Sequence, residues 1–283
     1  MFSLSTLVSL LPRIRPGSLP AAPTGVRHQG FAGLEHRADH RLDQLERSQA
    51  ATDFRIAQRP EEFYGAFRLV YEAYVRSGLA VPNAYEMRVT PFRLLPTTQV
   101  FVAMTRNGVD GTVTLVQDGE LGLPMEAVYD REVSRRRAEG LRLAEVSCLA
   151  DRHQDLRRSF PAVIRLMSLM AQYAVRCGVD QLVIAVHPRH APFYRRFTAF
   201  VPFGGRRTYG AVCDKPAVAL ALDLNRAPVD HARLYKRFVG NPFPERAFQH
   251  RPMSEGLRSE LELVVDASYG MDTGAGALEL AAC

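Results

Sequence analysis

The stretch from Arg142 to Val186 constrains the fold more than any other part of this 283-residue chain. It opens with RLAEVSCLAD (142–151), a strand-like run that is apolar between its charged ends except at Glu145 and Ser147. SFPAVIRLMSLMAQYAVRCG (159–178) follows, with apolar residues on nearly every face and a glycine at its end, the pattern of a buried helix. VDQLVIAV (179–186) is then a continuous apolar run, as expected of a strand inside a sheet. Strand, buried helix and interior strand in that order call for a sheet covered by helices. The exception poses the chemical question, because a carboxylate in a buried strand costs free energy unless it is paired.

The flanking segments extend the same architecture. TDFRIAQR (52–59) alternates like a short strand. RPEEFYGAFRLVYEAYVRSG (59–78) places Phe63, Phe67, Val70, Tyr71 and Tyr74 at steps of three and four, predicting an amphipathic helix stopped by Gly78. TTQVFVAMTRNGVDGTVTLVQD (97–118) is two β-rich runs around Asn107-Gly108 and Asp110-Gly111, a hairpin signal. LPMEAVYDREVSRRRAEG (123–140) reads as a charged helix, HPRHAPFYRRF (187–197) as a short helix behind a proline turn, and KPAVALALDL (215–224) as the strand that closes the sheet. This order predicts a mixed sheet with helices packed on it. Residues 51–226 then form the domain. Residues 1–50 read as a flexible lead followed by a solvated helix, and 227–283 as a partly mobile extension with one helix near EGLRSELELVV.

Composition narrows the function classes. No apolar run reaches the roughly 18 residues that span a bilayer, so no integral membrane segment is expected. In MFSLSTLVSLLPRIRP the basic residues follow the apolar stretch, the reverse of a secretory signal, which favours a cytoplasmic location. The four cysteines form no C-x-x-C pair, so neither a zinc site nor a disulfide framework is expected, and no metal is assigned. The net charge of +6 suits an acidic partner, and no nucleic-acid-binding module is recognisable.

Four stretches in one order, spanning roughly 54–224, carry a family likeness: GTVTLVQD with GLPMEAVY, LAEVSCLAD, HPRHAPFYRRF, and YGAVCDKPAVALALDL. Together they resemble the GNAT acyltransferases and, more narrowly, the FeeM-type long-chain N-acyl amino acid synthases, relatives of the LuxI-type autoinducer synthases. The resemblance implies an α+β fold: a mixed, mostly antiparallel sheet with helices on both faces. It also implies an N-acyltransferase acting by direct transfer onto an amino acid acceptor. Two departures refine this. The stretch ADRHQDLRRSFPAV (150–163) contains no glycine, whereas the GNAT loop that grips the pyrophosphate of coenzyme A is glycine-rich. A donor without a pyrophosphate, acyl-phosphopantetheine on an acyl carrier protein, needs no such loop. The acidic carrier would be steered by the basic surface, including Arg157 and Arg158, which also read simply as a solvated helix start. Where autoinducer synthases have Glu-x-Ser-Arg, this chain has Glu145-Val146-Ser147-Cys148, which favours the amino-acid-acylating branch.

The resemblance also assigns roles. Glu145 is the base or amine anchor, unless it simply pairs with Arg142 or Arg207. Val146, Ser147, Cys148, Leu149 and Ala150 offer backbone groups to the acyl-pantetheine where the strand splays from its neighbour. Tyr194 is the acid that meets the departing thiolate. His187 is a proton relay and His190 a substrate contact, both at the end of a central strand where α/β sheets build sites. Arg206, Arg207 and Lys215 are candidates for the acceptor's carboxylate. Cys148 as an acyl-enzyme nucleophile is the weaker reading, and each of these residues also reads as ordinary structure. Phe63, Phe67, Leu95 and Phe101 are candidates to line an acyl tunnel. No bound cofactor is expected. The alternatives are a coenzyme-A-dependent N-acetyltransferase using acyl-CoA, and a non-catalytic module that binds acylated carrier. A peripheral contact with a membrane, where a lipid product leaves, stays open.

Overall fold

The computed structural model describes residues 52–153 and 156–266, and of residues 156–159 the backbone course alone. The expected lead at 1–50, the side chains of Arg157 and Arg158, and the Gly/Ala-rich end beyond 266 lie outside the described residues.

The hairpin forms where Asn107-Gly108 places it. Strands β2 (Thr98–Thr105) and β3 (Gly108–Gln117) are joined by two residues, and Gly108 takes a φ of +98° that a side chain would oppose. Helix α1 (Pro60–Arg76) follows the short strand β1 (Asp53–Ile56). It begins with a proline at its first turn, and Glu62 reaches back to accept from the backbone N–H of Gln58 at 2.8 Å. Helix α2 (Glu126–Ala138) precedes β4 (Leu143–Asp151). Helix α3 (Leu156–Arg176) precedes β5 (Gln181–Val186), and α4 (Ala191–Phe197) lies behind the Pro188 turn.

The strand Val201–Tyr209, β6, was not expected. Its Pro202 and Gly204-Gly205 interrupt any alternation, it is largely exposed, and its pairing shifts register twice. It is the sheet edge, where proline is tolerated. The strand β7 (Lys215–Asp223), last in sequence, therefore lies between β5 and β6 and does not close the sheet. The order is β1-β2-β3-β4-β5-β7-β6. Among the described strands of this sheet, β4 and β5 pair in parallel and the other neighbours antiparallel. This is the expected mixed, mostly antiparallel sheet.

Helices cover both faces. On one, α3 and α4 bury Phe101, Leu115, Ile184 and Leu220. On the other, α1 packs on Val100 and Val102, and α2 packs on Val116, Val183 and Ala219, as two separate apolar clusters. The chain after 226 is not an appendage up to residue 266. Helices α5 (Ala227–Asp230) and α6 (Ala232–Val239) lie against α3, where Gln172 donates to the Phe238 carbonyl at 2.9 Å and accepts from the Phe243 N–H at 3.0 Å. Helix α7 (Glu255–Glu262) buries Leu257 and Leu261 beside α1, and Asp266 pairs with Arg88 at 2.9 Å. Pro-rich punctuation sets this segment apart in the sequence, and it leaves the packing of these helices unmarked. Phe243, Phe248, Leu257 and Leu261 of this segment are buried, whereas Val229 and Leu263 are exposed.

Candidate active site

The site is built where β4 leaves β5. Their pairing runs from Leu143–Gln181 to Glu145–Val183 and stops there, while β5 stays paired with β7 as far as Val186–Val218. The local cause is a bulge in β4. Thr114 faces Ser147 and Thr112 faces Ala150, so Cys148 and Leu149 together oppose the single residue Val113. Cys148 takes a φ of +52°, a left-handed conformation that non-glycine residues adopt rarely. A bulge bends its strand and strengthens the twist, and here it accompanies the departure of Val146–Ala150 from Ile184–Val186. Two stretches of backbone therefore face one another across a gap without pairing. The residues expected to hold the acyl-pantetheine form one wall of it.

Glu145 stands at the last paired position and is 3% exposed. Its carboxylate accepts one hydrogen bond, from the Met125 N–H at the start of α2, at 2.7 Å. Burial pushes its pKa up to about 8 against the opposing effect of that bond, with Cys148 and Glu126 adding to the rise. The ion pairs that offered a purely structural reading do not form. Arg142 is held by Asp180, and Arg207 is clamped by Glu132 at 2.5 and 3.0 Å while donating to the Val128 carbonyl at 2.6 Å. Among the described residues Glu145 has no cationic partner, so near neutral pH it exchanges a proton instead of remaining a fixed charge.

Around Glu145 the face between the α1 and α2 clusters is polar. Thr112 and Thr114 are fully buried on β3, and Ser147 follows Glu145 on the same face of β4. Two buried arginines that sequence reasoning passed over complete it. Arg93 donates to the Thr114 hydroxyl at 3.2 Å and to the Arg88 carbonyl at 2.9 Å, with its guanidinium 4.1 Å from the centre of the Phe67 ring. Arg88 lies over the Tyr74 ring and bonds Asp266 and the Ala211 carbonyl. Burial opposes ionisation of the Cys148 thiol, yet Arg93, the Ser147 hydroxyl, Arg88 and Tyr74 hold its pKa below the ordinary value. In MRVTPFRLL (87–95) nothing separates these two arginines from surface residues; only the tertiary packing buries them.

Tyr194 lies on the opposite face, in the α3–α4 cluster, with Phe193 and Phe200 at ring distances of 5.4 and 5.9 Å. Burial pushes it up to about 12, so it stays protonated. Glu145 and Tyr194 thus lie on opposite faces of the sheet. His187 accepts from the Arg189 N–H at 3.2 Å, and burial, followed by Arg189, Arg206 and Lys215, lowers its pKa. His190 is fully buried, lowered to about 3 mainly by burial, and accepts from Arg189 Nε at 3.1 Å. Both imidazoles are neutral at pH 7. Lys215 is exposed at the start of β7, and Arg207 is committed to α2. The four residues expected to line a tunnel do not share one. Phe63 and Phe67 pack on the α1 face, whereas Phe101 meets Tyr173 of α3 across the sheet at 5.5 Å. A small apolar cavity of about 40 Å³ lies instead between α3, β7 and α6, lined by Met167, Met170, Leu222, Leu234, Phe238 and Val239.

Among the described residues no helix is long and apolar enough to cross a membrane, and no cluster of His, Cys, Asp and Glu could hold a metal ion. No curated protein matches the chain. Solved structures that share its fold include the following three. FeeM, an N-acyl amino acid synthase from uncultured soil microbes, is 31% identical over 62% of this chain and 91% of its own, with a TM-score of 0.54. The acyl-homoserine lactone synthase LasI is 17% identical over 69% and 98%, with a TM-score of 0.52. BjaI, described as a CoA-dependent acyl-homoserine lactone synthase, is 16% identical over 75% and 99%, with a TM-score of 0.50. Residues 65–223, more than half of the chain, match the family described as N-acyl amino acid synthase FeeM. With the expected sheet and a buried carboxylate at its splay, this chain belongs to the FeeM family of N-acyl amino acid synthases.

Proposed function

We propose that this chain transfers a long fatty acyl group from the phosphopantetheine arm of an acyl carrier protein to the α-amine of an amino acid. The observation that carries the reading is the gap that opens beside Glu145, a buried carboxylate with a pKa near neutrality. The pantetheine arm lies along Val146–Ala150 like an added strand, its amides bonding backbone groups that β5 leaves unpaired. A backbone N–H of this wall faces the thioester oxygen and stabilises the oxyanion. The amine loses a proton to Glu145 and its nitrogen attacks the carbonyl carbon. The N–C bond forms, the C–S bond breaks, and the thiolate takes a proton from Tyr194. His187 and His190 enter as neutral groups at the end of β5, where they orient the reactants. The glycine-free loop after β4 favours the carrier over coenzyme A.

The test is a product assay by mass spectrometry with the twenty amino acids and three matched donors: acyl-carrier protein, acyl-CoA and acyl-pantetheine. The reading expects an N-acyl amino acid, formed with the highest kcat/KM from the carrier. Equal use of acyl-CoA would remove the carrier preference, and absence of any amide would remove the reaction.

A further inference from the structure

Helix α2 is not a straight rod. Inside it Tyr129 takes φ −122° and ψ 32°, away from helical values. Its hydroxyl lies within hydrogen-bonding reach of the Gly205 and Ala217 carbonyls, at 2.9 and 2.8 Å. Eleven residues of straight helix would separate Glu126 from Arg137 by about 16 Å. With the kink between them, the Arg137 guanidinium instead meets both oxygens of the Glu126 carboxylate, Nη1 donating to Oε2 at 2.6 Å. The same guanidinium grips Asp118 with two bonds, at 2.6 and 2.7 Å. We propose that this ion network makes Arg137 a positioning residue for Glu145, by fixing the turn that carries the Met125 N–H. The proposal rests on the role of Glu145 as base given above, and it names what sets that base in place.

The bonds form a closed circuit that starts and ends on β4. The Asp118 N–H donates to the Leu143 carbonyl at 3.1 Å, two residues before Glu145. Asp118 holds Arg137, Arg137 holds Glu126, and Glu126 Oε1 accepts from the Leu123 N–H. The Tyr209 hydroxyl donates to the Pro124 carbonyl at 2.9 Å. Met125 comes next, and its N–H closes the circuit on Glu145 at 2.7 Å. As the N-cap of α2, Met125 has no helical carbonyl for that N–H, so its aim depends on the turn before it. A hydrogen bond weakens steeply when misaligned, and a small rotation of this turn is enough to lose it.

Electrostatics act in the same direction. The titratable groups that act on Glu145 are Cys148 from its own strand and Glu126 from α2, and both push its pKa up. On either side β3 and β5 present Val116 and Val183, and Arg93, from the turn before β2, acts on Cys148. Removing the Arg137 charge would therefore loosen the Met125 N–H and also leave the Glu126 charge uncompensated. Each effect favours the protonated form of Glu145.

The experiment follows two NMR signals of the full chain from pH 5 to 10: the Met125 amide and the Glu145 carboxyl carbon, the latter identified by its loss in Glu145→Gln. In the parent the two are expected to titrate together, with a midpoint near 8. Arg137→Gln is expected to raise that midpoint by about one pH unit and to cut the pH-dependent shift of the Met125 amide by about half or more. Its kcat/KM at pH 7 should fall about tenfold, as the ionised fraction does. Arg137→Lys, which keeps the charge but not the two-sided grip, is expected to fall between, and it is read alone if Arg137→Gln fails to fold. A lowered melting temperature with parental titration of both signals, in either folded variant, would make Arg137 a purely structural residue and overturn the proposal. Titrations that move as expected in a chain that forms no amide from any donor would uphold the positioning and sink the proposed reaction instead.

Discussion

Replacing Glu145 with glutamine separates its stability cost from its chemistry. The side chain is 3% exposed and its pKa stands at about 8 against an ordinary 4.5. In the unfolded chain the group ionises near 4.5, whereas the folded protein keeps its proton until about pH 8. Between those values the folded state binds more protons, so its stability falls as pH rises through this window. At about 1.36 kcal/mol per pH unit, the full cost above pH 8 is at most about 5 kcal/mol. Glutamine does not titrate, is nearly isosteric, and can still accept from the Met125 N–H. Glu145→Gln is therefore expected to match the parent near pH 4.5 and to gain on it steadily towards pH 8.5, read as Tm or denaturation midpoint across that range. Turnover moves the other way. The parent's kcat/KM should rise about tenfold per pH unit up to about pH 8, and the variant should lose about 10²- to 10⁴-fold. Parallel stability curves from pH 5 to 9 would show that the carboxylate is not buried as a near-neutral acid. A flat rate profile with near-normal activity in the variant would remove it as the base.

Other consequences follow from separate parts of the molecule. Tyr194→Phe should lower kcat by about 10- to 100-fold with little change in Tm, and an acyl donor with a more acidic thiol should recover much of the loss, because such a leaving group needs less help from an acid. No such recovery would argue that the hydroxyl does not meet the thiolate. Each methylene removed from the acyl donor should cost about 0.8 kcal/mol, close to fourfold in kcat/KM. Gly204→Ala should destabilise by about 1–3 kcal/mol, because its new Cβ would lie 2.7 Å from the Tyr129 ring and 2.9 Å from Ala219. A melting temperature equal to the parent's would contradict the close approach of β6 to α2.

Periodicity and turn chemistry act within a few residues of each other, so the sequence alone determined what depends on them. That covers the hairpin at Asn107-Gly108, the stop of α1 at Gly78, the burial of α3, and Glu145 as an anomaly inside β4. The family likeness added the splay and the base. What the sequence left undetermined was what a residue meets across the sheet. An edge strand carrying Pro202 and two adjacent glycines has no local signature, so β6 emerged only once β7 was seen to have a free side for it. The commitment of Arg207 to Glu132, the bulge that turns Cys148, and the burial of Arg88 and Arg93 beneath α1 depend on register and on helices brought together from distant parts of the chain. An arginine in sequence is an ordinary surface residue. Removing its water, a step that only tertiary packing performs, turns it into a strong local charge.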